Sequence, residues 1–303
     1  MAVDNLSTGR LGNLDAVGQH PEFHFVQGSV LDELMVDELV NDCDVVVHLA
    51  AAVGVKLIVE QPLKSFTTNI RGSETVIGAA HRWRRQVLVA STSEIYGQNS
   101  ACPLAEDATR VLGPPTVSRW AYSTAKAVDE ILAHFYHRQR GLHTTVVRLF
   151  NTVGPRQSPA YGMVIPRLVR QAVAGQPLTV YGDGQQSRCF GHVSDVVDCL
   201  VRLLEHPGAN GEVFNVGSQE EVTILDLARL ISARTGGVSP IEMIPYEEAF
   251  TVDGYEDMRR RVPDTTKVRA LTGWQPTRTL DDILTETIAE AENELATIAA
   301  LGH

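Results

Sequence analysis

Cysteine is scarce in this 303-residue chain: four residues, Cys43, Cys102, Cys189 and Cys199, none in a CxxC pair. Cys189 and Cys199 lack the nearby histidines of a zinc site, so neither a disulfide framework nor a structural metal organises the fold. Reduced thiols in a cytoplasmic protein are expected instead. Lysine is rarer than arginine, four against 22, so a lysine inside a motif carries weight. An excess of positive charge is also missing. Lys plus Arg is 26 and Asp plus Glu is 37, a formal net charge of −11. That balance offers no whole-surface attraction to nucleic acid or anionic lipid, and leaves room only for a local basic pocket. No apolar run approaches the ~20 residues of a membrane helix. The opening MAVDNLSTGR lacks the apolar core of a signal peptide. No nucleic-acid or membrane partner is expected. Repeats and low-complexity stretches are absent as well.

What is present is an ordinary globular mixture, 44% hydrophobic and 21% charged, with length for one large or two modest domains. The pattern alternates. Residues 23–27, 44–52 (DVVVHLAAA), 86–91 (QVLVAS) and 144–150 (TTVVRLF) read as strands. The second of these is an apolar run suited to a strand buried on both faces. Residues 31–41, 64–84 and 119–139 between them carry helical spacing. This β-α-β-α-β-α-β order predicts an α/β fold with a doubly wound parallel sheet. After Pro155 the texture changes. Helices are expected over 163–174, 192–206, 223–235 and 279–299, a strand over 213–217, a glycine-rich turn within 177–190, and a charged irregular segment over 245–264. The expected division is a dinucleotide-binding domain over 1–155, to which elements near 191–217 return, and a smaller substrate domain over 156–303.

The opening AVDNLSTG reads as the end of a second strand of a dinucleotide-binding fold, with Asp4 as the acid for the adenosine ribose. No glycine cluster in the chain follows a strand and opens a helix to hold a pyrophosphate. The sequence therefore reads as one shortened at its start by about 30 residues.

Two motifs stand together: Ser91-Thr92-Ser93-Glu94-Ile95-Tyr96-Gly97 after a strand, and Tyr122-Ser123-Thr124-Ala125-Lys126 near the start of a helix. A spacing of four puts Tyr122 and Lys126 on one helical face. A buried ammonium there is expected to favour the phenolate, lowering the tyrosine pKa from ~10 so that Tyr122 serves as a base.

With DNLSTG (4–9), HLAA (48–51), STSEIYG (91–97), YSTAK (122–126), RLFNTVGPR (148–156), LTVYGDGQQSRCF (178–190), HVSD (192–195), FNVG (214–217), RRVPD (260–264) and LTGWQP (271–276), the chain resembles an extended short-chain dehydrogenase/reductase of the nucleotide-sugar epimerase/dehydratase/decarboxylase type. The resemblance implies a Rossmann-like domain binding NAD and a smaller C-terminal domain for a nucleotide sugar, a UDP-sugar foremost. It implies that Asp4 and Asn5 meet the adenosine ribose, Ser29 and Val30 lie beside the adenine, and Leu49, Ala50, Ala51 and Asn69 line the cofactor. Ser29 departs from the aspartate common there. The resemblance further implies Tyr122 as base, Lys126 on the nicotinamide ribose and Thr92 on the sugar 4-hydroxyl. It also implies Asn151, Arg188 and Arg261 at the substrate, the two guanidiniums holding the diphosphate. Arg259 and Arg260 read as surface charges. A homodimer through 64–84 and 119–139 is implied too.

The shared first step oxidises the sugar at C4, after which the subfamilies divide. A 4-keto uronic acid loses CO2, a 4-keto hexose turns over and is reduced on its other face, or a base at C5 drives loss of the 6-hydroxyl. Glu94 resembles the acid of decarboxylases and dehydratases, where simple 4-epimerases have a small residue. The downstream stretches look closer to UDP-glucuronate decarboxylases. YSTAK departs from their YDEGK, and Met163 stands near a position where they carry an arginine. UDP-glucuronate decarboxylation is the leading expectation. UDP-glucose-type 4-epimerisation and 4,6-dehydration are the alternatives, and a non-catalytic remnant that binds nucleotide or a partner is the rival of another class.

Overall fold

The computed structural model describes residues 1–54, 61–160, 162–249 and 258–301. Strand β1 (Ala2–Asp4) is followed by β2 (Phe25–Gln27), α1 (Glu33–Asn41), β3 (Val45–His48), α2 (Pro62–Arg82), β4 (Gln86–Thr92), α3 (Arg119–Arg140) and β5 (Thr144–Leu149). Then come β6 (Thr152–Val153), α4 (Val164–Val173), β7 (Leu178–Tyr181), β8 (Ser187–Cys189), β9 (Gly191–His192), α5 (Val193–Glu205) and β10 (Val213–Val216). The chain closes with β11 (Glu221–Thr223), α6 (Ile224–Arg234), β12 (Ile241–Ile244), α7 (Tyr246–Ala249), β13 (Arg260–Arg261), α8 (Thr266–Thr272) and α9 (Leu280–Leu301). Local chemistry sets several ends. The Asp32 carboxylate accepts the Met35 N–H at 3.1 Å to start α1, and the Thr223 hydroxyl accepts the Asp226 N–H at 3.0 Å to start α6. Gly141 ends α3 with a left-handed φ of 70°.

The main sheet has the order β10-β5-β4-β3, every neighbour parallel. Period-two alternation fills both faces. Val87, Val89 and Val146 pack with Val36, Val40, Ile77 and Ala133 from α1, α2 and α3 on one side. Leu88, Val147 and Phe214 pack with Val196, Leu200 and Leu203 of α5, and with Trp274, on the other. Each fully buried aliphatic side chain contributes roughly 1.5–3 kcal/mol of transfer free energy, which is why β4 and β5 sit at the centre.

The 44–52 segment corrects the expectation made for it. Only Val45–His48 is strand, and it is not buried on both faces: Val45 and Val47 are each 42% exposed. β3 is the outer strand of this sheet, and among the described residues nothing pairs with its far edge. β1 and β2 form a separate parallel pair, so the parallel architecture is present in two pieces.

A second core lies among α4, α6 and α9, built on Ile165, Leu168, Leu227, Ile231, Ile283 and Leu284. Beside it, β8 pairs antiparallel with β11 and parallel with β13. The β8–β13 register sets Arg188 opposite Arg261. Of the segment expected to be irregular over 245–264, the described part contains α7 and β13, and residues 250–257 lie outside the described residues. Among the described residues no helix is long and apolar enough to cross a membrane.

Candidate active site

The STSEIYG loop leaves the C-terminal end of β4, where open parallel sheets present ligand sites. Its residues divide by task. Ser91 and Tyr96 anchor it to the scaffold. Ser91 Oγ donates to Glu130 Oε1 at 2.5 Å, and Glu130 takes a two-point contact from Arg148, at 2.9 and 2.8 Å. Arg148 also donates to the Tyr96 hydroxyl at 2.9 Å, and that hydroxyl donates to Asn215 Oδ1 at 2.6 Å. The loop is thereby tied to α3, β5 and β10 at once. Gly97 ends it at φ 60°, where a Cβ would stand 2.1 Å from the Val111 carbonyl oxygen, so only glycine fits.

Thr92 and Glu94 are left for the site. The Thr92 hydroxyl accepts the Glu94 N–H at 3.2 Å and opens a short 3₁₀ turn, Ser93–Tyr96. That turn aims the Glu94 carboxylate at Arg119, whose two terminal nitrogens meet it at 2.5 and 3.0 Å. Arg261 Nη1 stands 3.6 Å from the same carboxylate. Burial works against the charge of Glu94, yet Arg119, then Arg261 and Arg188, hold its carboxyl below the usual carboxylate range. Arg261 also donates to Asn151 Oδ1 at 2.8 Å, and Asn151 donates to the Cys189 carbonyl at 3.2 Å. Arg188, Arg119 and Arg261 are all buried. Among the described residues three guanidiniums thus act on this one carboxylate, groups whose chemistry suits an anionic ligand.

Tyr122 and Lys126 lie one turn apart on α3, both buried. The expected acidification of Tyr122 is not what the structure shows. Burial, then the carboxylates of Glu94 and Asp129, push the phenol above the ordinary tyrosine range, and Arg119 offsets only part of this. The ammonium expected to oppose this is engaged elsewhere. Lys126 Nζ donates to the Ala90 carbonyl at 2.9 Å and to Asp129 Oδ2 at 3.0 Å. On its other side, His48 Nε2 meets Ser73 Oγ at 3.0 Å. Burial and then the Lys126 charge push the His48 pKa down to about 3, so the ring is neutral.

Sequence reasoning missed Arg119 and Asp129. Arg119 stands three residues before Tyr122 and Asp129 three after Lys126, so helical spacing placed both beside the motif. Burial of a charged side chain has no local signal, because the Arg119 partner comes from another element. Arg259 and Arg260 are surface charges, as expected. Arg259 pairs with Asp183 at 2.7 Å, and Arg260 takes Glu221 in two-point contact at 2.7 and 2.8 Å. A cavity of about 320 Å³, lined by Gly182, Asp183, Gln186, Tyr246, Met258 and Arg259, flanks the strands that carry Arg188 and Arg261. Its lining includes neither Tyr122 nor Lys126.

The cofactor-side residues lie on and after β1, β2 and β3. The Asp4 carboxylate accepts the Leu6 N–H at 2.6 Å and rests against Gly9, where a Cβ would stand 2.8 Å from it. Asn5 Oδ1 accepts the Ser7 N–H at 3.0 Å, and Ser29 Oγ the Leu31 N–H at 3.2 Å. Val30 packs toward the first core, and a Cβ on Gly72 of α2 would lie 2.7 Å from it. Leu49 and Ala50 are exposed and Ala51 partly so. Asn69 spends both ends of its amide on Ala52, accepting its N–H at 2.7 Å and donating to its carbonyl at 3.2 Å. It thereby fixes the segment after β3.

The sequence profile of the GDP-mannose 4,6 dehydratase family matches residues 1–287. A UDP-N-acetyl-alpha-D-glucosaminuronate decarboxylase of Bacillus cytotoxicus is 39% identical over 270 residues, spanning 88% of this chain and 83% of its own length. UDP-glucuronic acid decarboxylase 1 of Danio rerio is 34% identical over 296 residues, spanning 97% of this chain and 66% of its own length. The solved structure of a UDP-glucuronic acid 4-epimerase from Bacillus cereus, in complex with UDP-glucuronic acid and NAD, superposes with a TM-score of 0.83 at 27% identity, covering 93% of this chain and 86% of that one. The chain belongs to the NAD-dependent nucleotide-sugar epimerases and dehydratases of the short-chain dehydrogenase/reductase class. The residues present fit the two ribose ends of NAD: an exposed acid cradled by Gly9 at the end of β1, and the buried Tyr122 and Lys126 pair.

Proposed function

We propose that this chain decarboxylates a UDP-sugar whose C6 is a carboxylate, UDP-glucuronate foremost, through a 4-keto intermediate. The observation that carries this reading is the clamp of Arg119 on Glu94. It supplies a second buried cation near Tyr122, besides Lys126, in a chain that has Met163 near an expected arginine position. It also makes Glu94 a poor base, since a carboxyl held below its usual range by guanidiniums resists taking a proton from C5. Loss of the 6-hydroxyl needs such a base, whereas loss of CO2 from a β-keto acid does not.

Asp4 and Asn5 at one end and Lys126 at the other would hold NAD, which would supply the hydride acceptor for C4 and the donor that restores it. Ser29, Val30, Leu49, Ala50, Ala51 and Asn69 form its remaining surroundings. Tyr122 takes the proton of the 4-hydroxyl, and Thr92 hydrogen-bonds the same oxygen. Arg188 and Arg261, side by side on β8 and β13, hold the diphosphate, with Asn151 orienting Arg261. The C5–C6 bond then breaks, CO2 leaves, and the electron pair is delocalised onto the C4 oxygen before C5 is protonated.

The test supplies the protein with NAD and, separately, UDP-glucuronate, UDP-N-acetylglucosaminuronate, UDP-glucose and GDP-mannose, and follows products by mass spectrometry. A UDP-sugar lighter by CO2 from either uronate supports the reading. A product of unchanged mass but inverted C4 would put the 4-epimerase in its place, and loss of water the dehydratase. Binding of NAD and nucleotide without conversion of any of the four would leave only a binding role. The same reading makes the protein a cytoplasmic homodimer. Ile131 and Phe135, 51% and 48% exposed on α3, supply an apolar face for the second copy.

A further inference from the structure

Lys126 is the group whose charge the chemistry of Tyr122 needs, and in this structure that charge is already engaged. Asp129, fully buried, takes the ammonium at 3.0 Å from one turn further along α3. The Ala90 carbonyl at the end of β4 takes a second proton at 2.9 Å. Burial pushes the Asp129 carboxyl above its usual range, and Lys126 first, then a hydrogen bond with Ser73, works against that, so Lys126 is its main stabilising partner. Other groups surround the pair on every packed element. Neutral His48 comes from β3, Ser73 from α2, Glu94 with its Arg119 from the loop after β4 and the start of α3, and Glu130, committed to Arg148, from the next position of α3. Of the two carboxylates that act on Tyr122, Glu94 is held by guanidiniums, whereas Asp129 is held chiefly by the ammonium.

We propose that Asp129 is a positioning residue of the Tyr122 site: by holding Lys126 against the Ala90 carbonyl and neutralising it, Asp129 sets how readily Tyr122 gives up its proton. An opposite charge in direct contact cancels most of the field that an ammonium projects further away. The phenol therefore stays protonated while the Lys126–Asp129 pair is closed, and becomes a base when the ammonium turns from Asp129 toward the hydroxyls bound beside it. The inference rests on Tyr122 being the base of the proposed reaction.

Asp129→Asn keeps the shape and an accepting oxygen but removes the charge. Its Tyr122 phenolate is expected to form at a pH lower by about one unit or more. Two readouts follow it. One is the tyrosinate absorbance of the ligand-free protein on alkaline titration, with Tyr122→Phe in each background to identify the Tyr122 signal. The other is the acid limb of turnover against pH, which is expected to move down by a similar amount. Asp129→Glu, which keeps the charge, is expected to leave both nearer the parent. Asp129→Ser carries the same expectation as the asparagine should that variant not fold. Unmoved tyrosinate titration and an unmoved acid limb in a folded Asp129→Asn or Asp129→Ser protein would overturn the proposal and leave Asp129 a structural residue. The tyrosinate titration needs no substrate. Failure of the parent to convert any nucleotide sugar would therefore count against the proposed function alone.

Discussion

Lys126 points its ammonium at Asp129, with 3.0 Å between Nζ and Oδ2, although Tyr122 stands one turn behind it on the same helix. The helix that presents the phenol also presents the carboxylate that competes for its activating charge. A buried ion pair of this kind adds little net stability, because desolvating both ions offsets most of their attraction. Beside it, burial and the carboxylates of Glu94 and Asp129 keep the Tyr122 phenol above its ordinary range.

Tyr122→Phe removes the proton acceptor and leaves the packing of the ring. Turnover of the nucleotide sugar is expected to fall about 100- to 10,000-fold, with the thermal unfolding midpoint near that of the parent. Activity within threefold of the parent would take Tyr122 out of the role of base.

Arg119→Gln leaves the Glu94 carboxylate buried with a weaker partner. Breaking a buried pair from one side costs about 3–5 kcal/mol, read as a lower urea midpoint. The double variant Arg119→Gln with Glu94→Gln is expected to recover part of that loss, since the Glu94 carboxylate is no longer left without its two-point partner, while Arg261 keeps Asn151. Equal midpoints for the single variant and the parent would show that the clamp carries no stability. In the same comparison Glu94, whose folded carboxyl lies below its ordinary range, contributes stability that is present above the unfolded carboxylate value. That stability is lost as pH falls through the depressed one.

His48 gives a second pH signature. Its folded pKa is about 3 against an ordinary 6.5, so the unfolded chain takes up a proton that the folded protein refuses. The sign follows: its contribution is complete above pH 6.5 and is lost as pH falls toward 3. Over that window the protein is expected to lose on the order of 5 kcal/mol through this one group. His48→Asn is expected to flatten this part of the curve of unfolding free energy against pH. A parent curve of the same slope as the variant's between those limits would show the ring to be free to charge.

Much of the fold was legible because its signals are local. The helices at 33–41, 62–82 and 119–140 and the strands at 86–92 and 144–149 lie within a few residues of the expected spans, since apolar spacing and flanking polar residues set them. The error at 44–52 came from a non-local cause. An apolar run says that burial is favourable, but not whether a neighbouring strand is there to bury it, and β3 has none on its far edge among the described residues. The β8–β13 pairing is equally non-local, and it is what brings Arg188 beside Arg261.

The sequence by itself determined the alternation of strands and helices, the family, and the presence of Tyr122, Lys126, Thr92 and Glu94 in two motifs, because periodicity and motif order are properties of neighbours along the chain. Only the tertiary structure decided which charges meet. It paired Glu94 with Arg119 and buried Lys126 together with its helical neighbour Asp129, and it raised the phenol that the motif alone suggested would be acidic. The physical reason is that a buried charge takes its energy from whichever partner folding brings within a few ångströms. Neither desolvation nor the direction of a side chain is written in spacing along the chain.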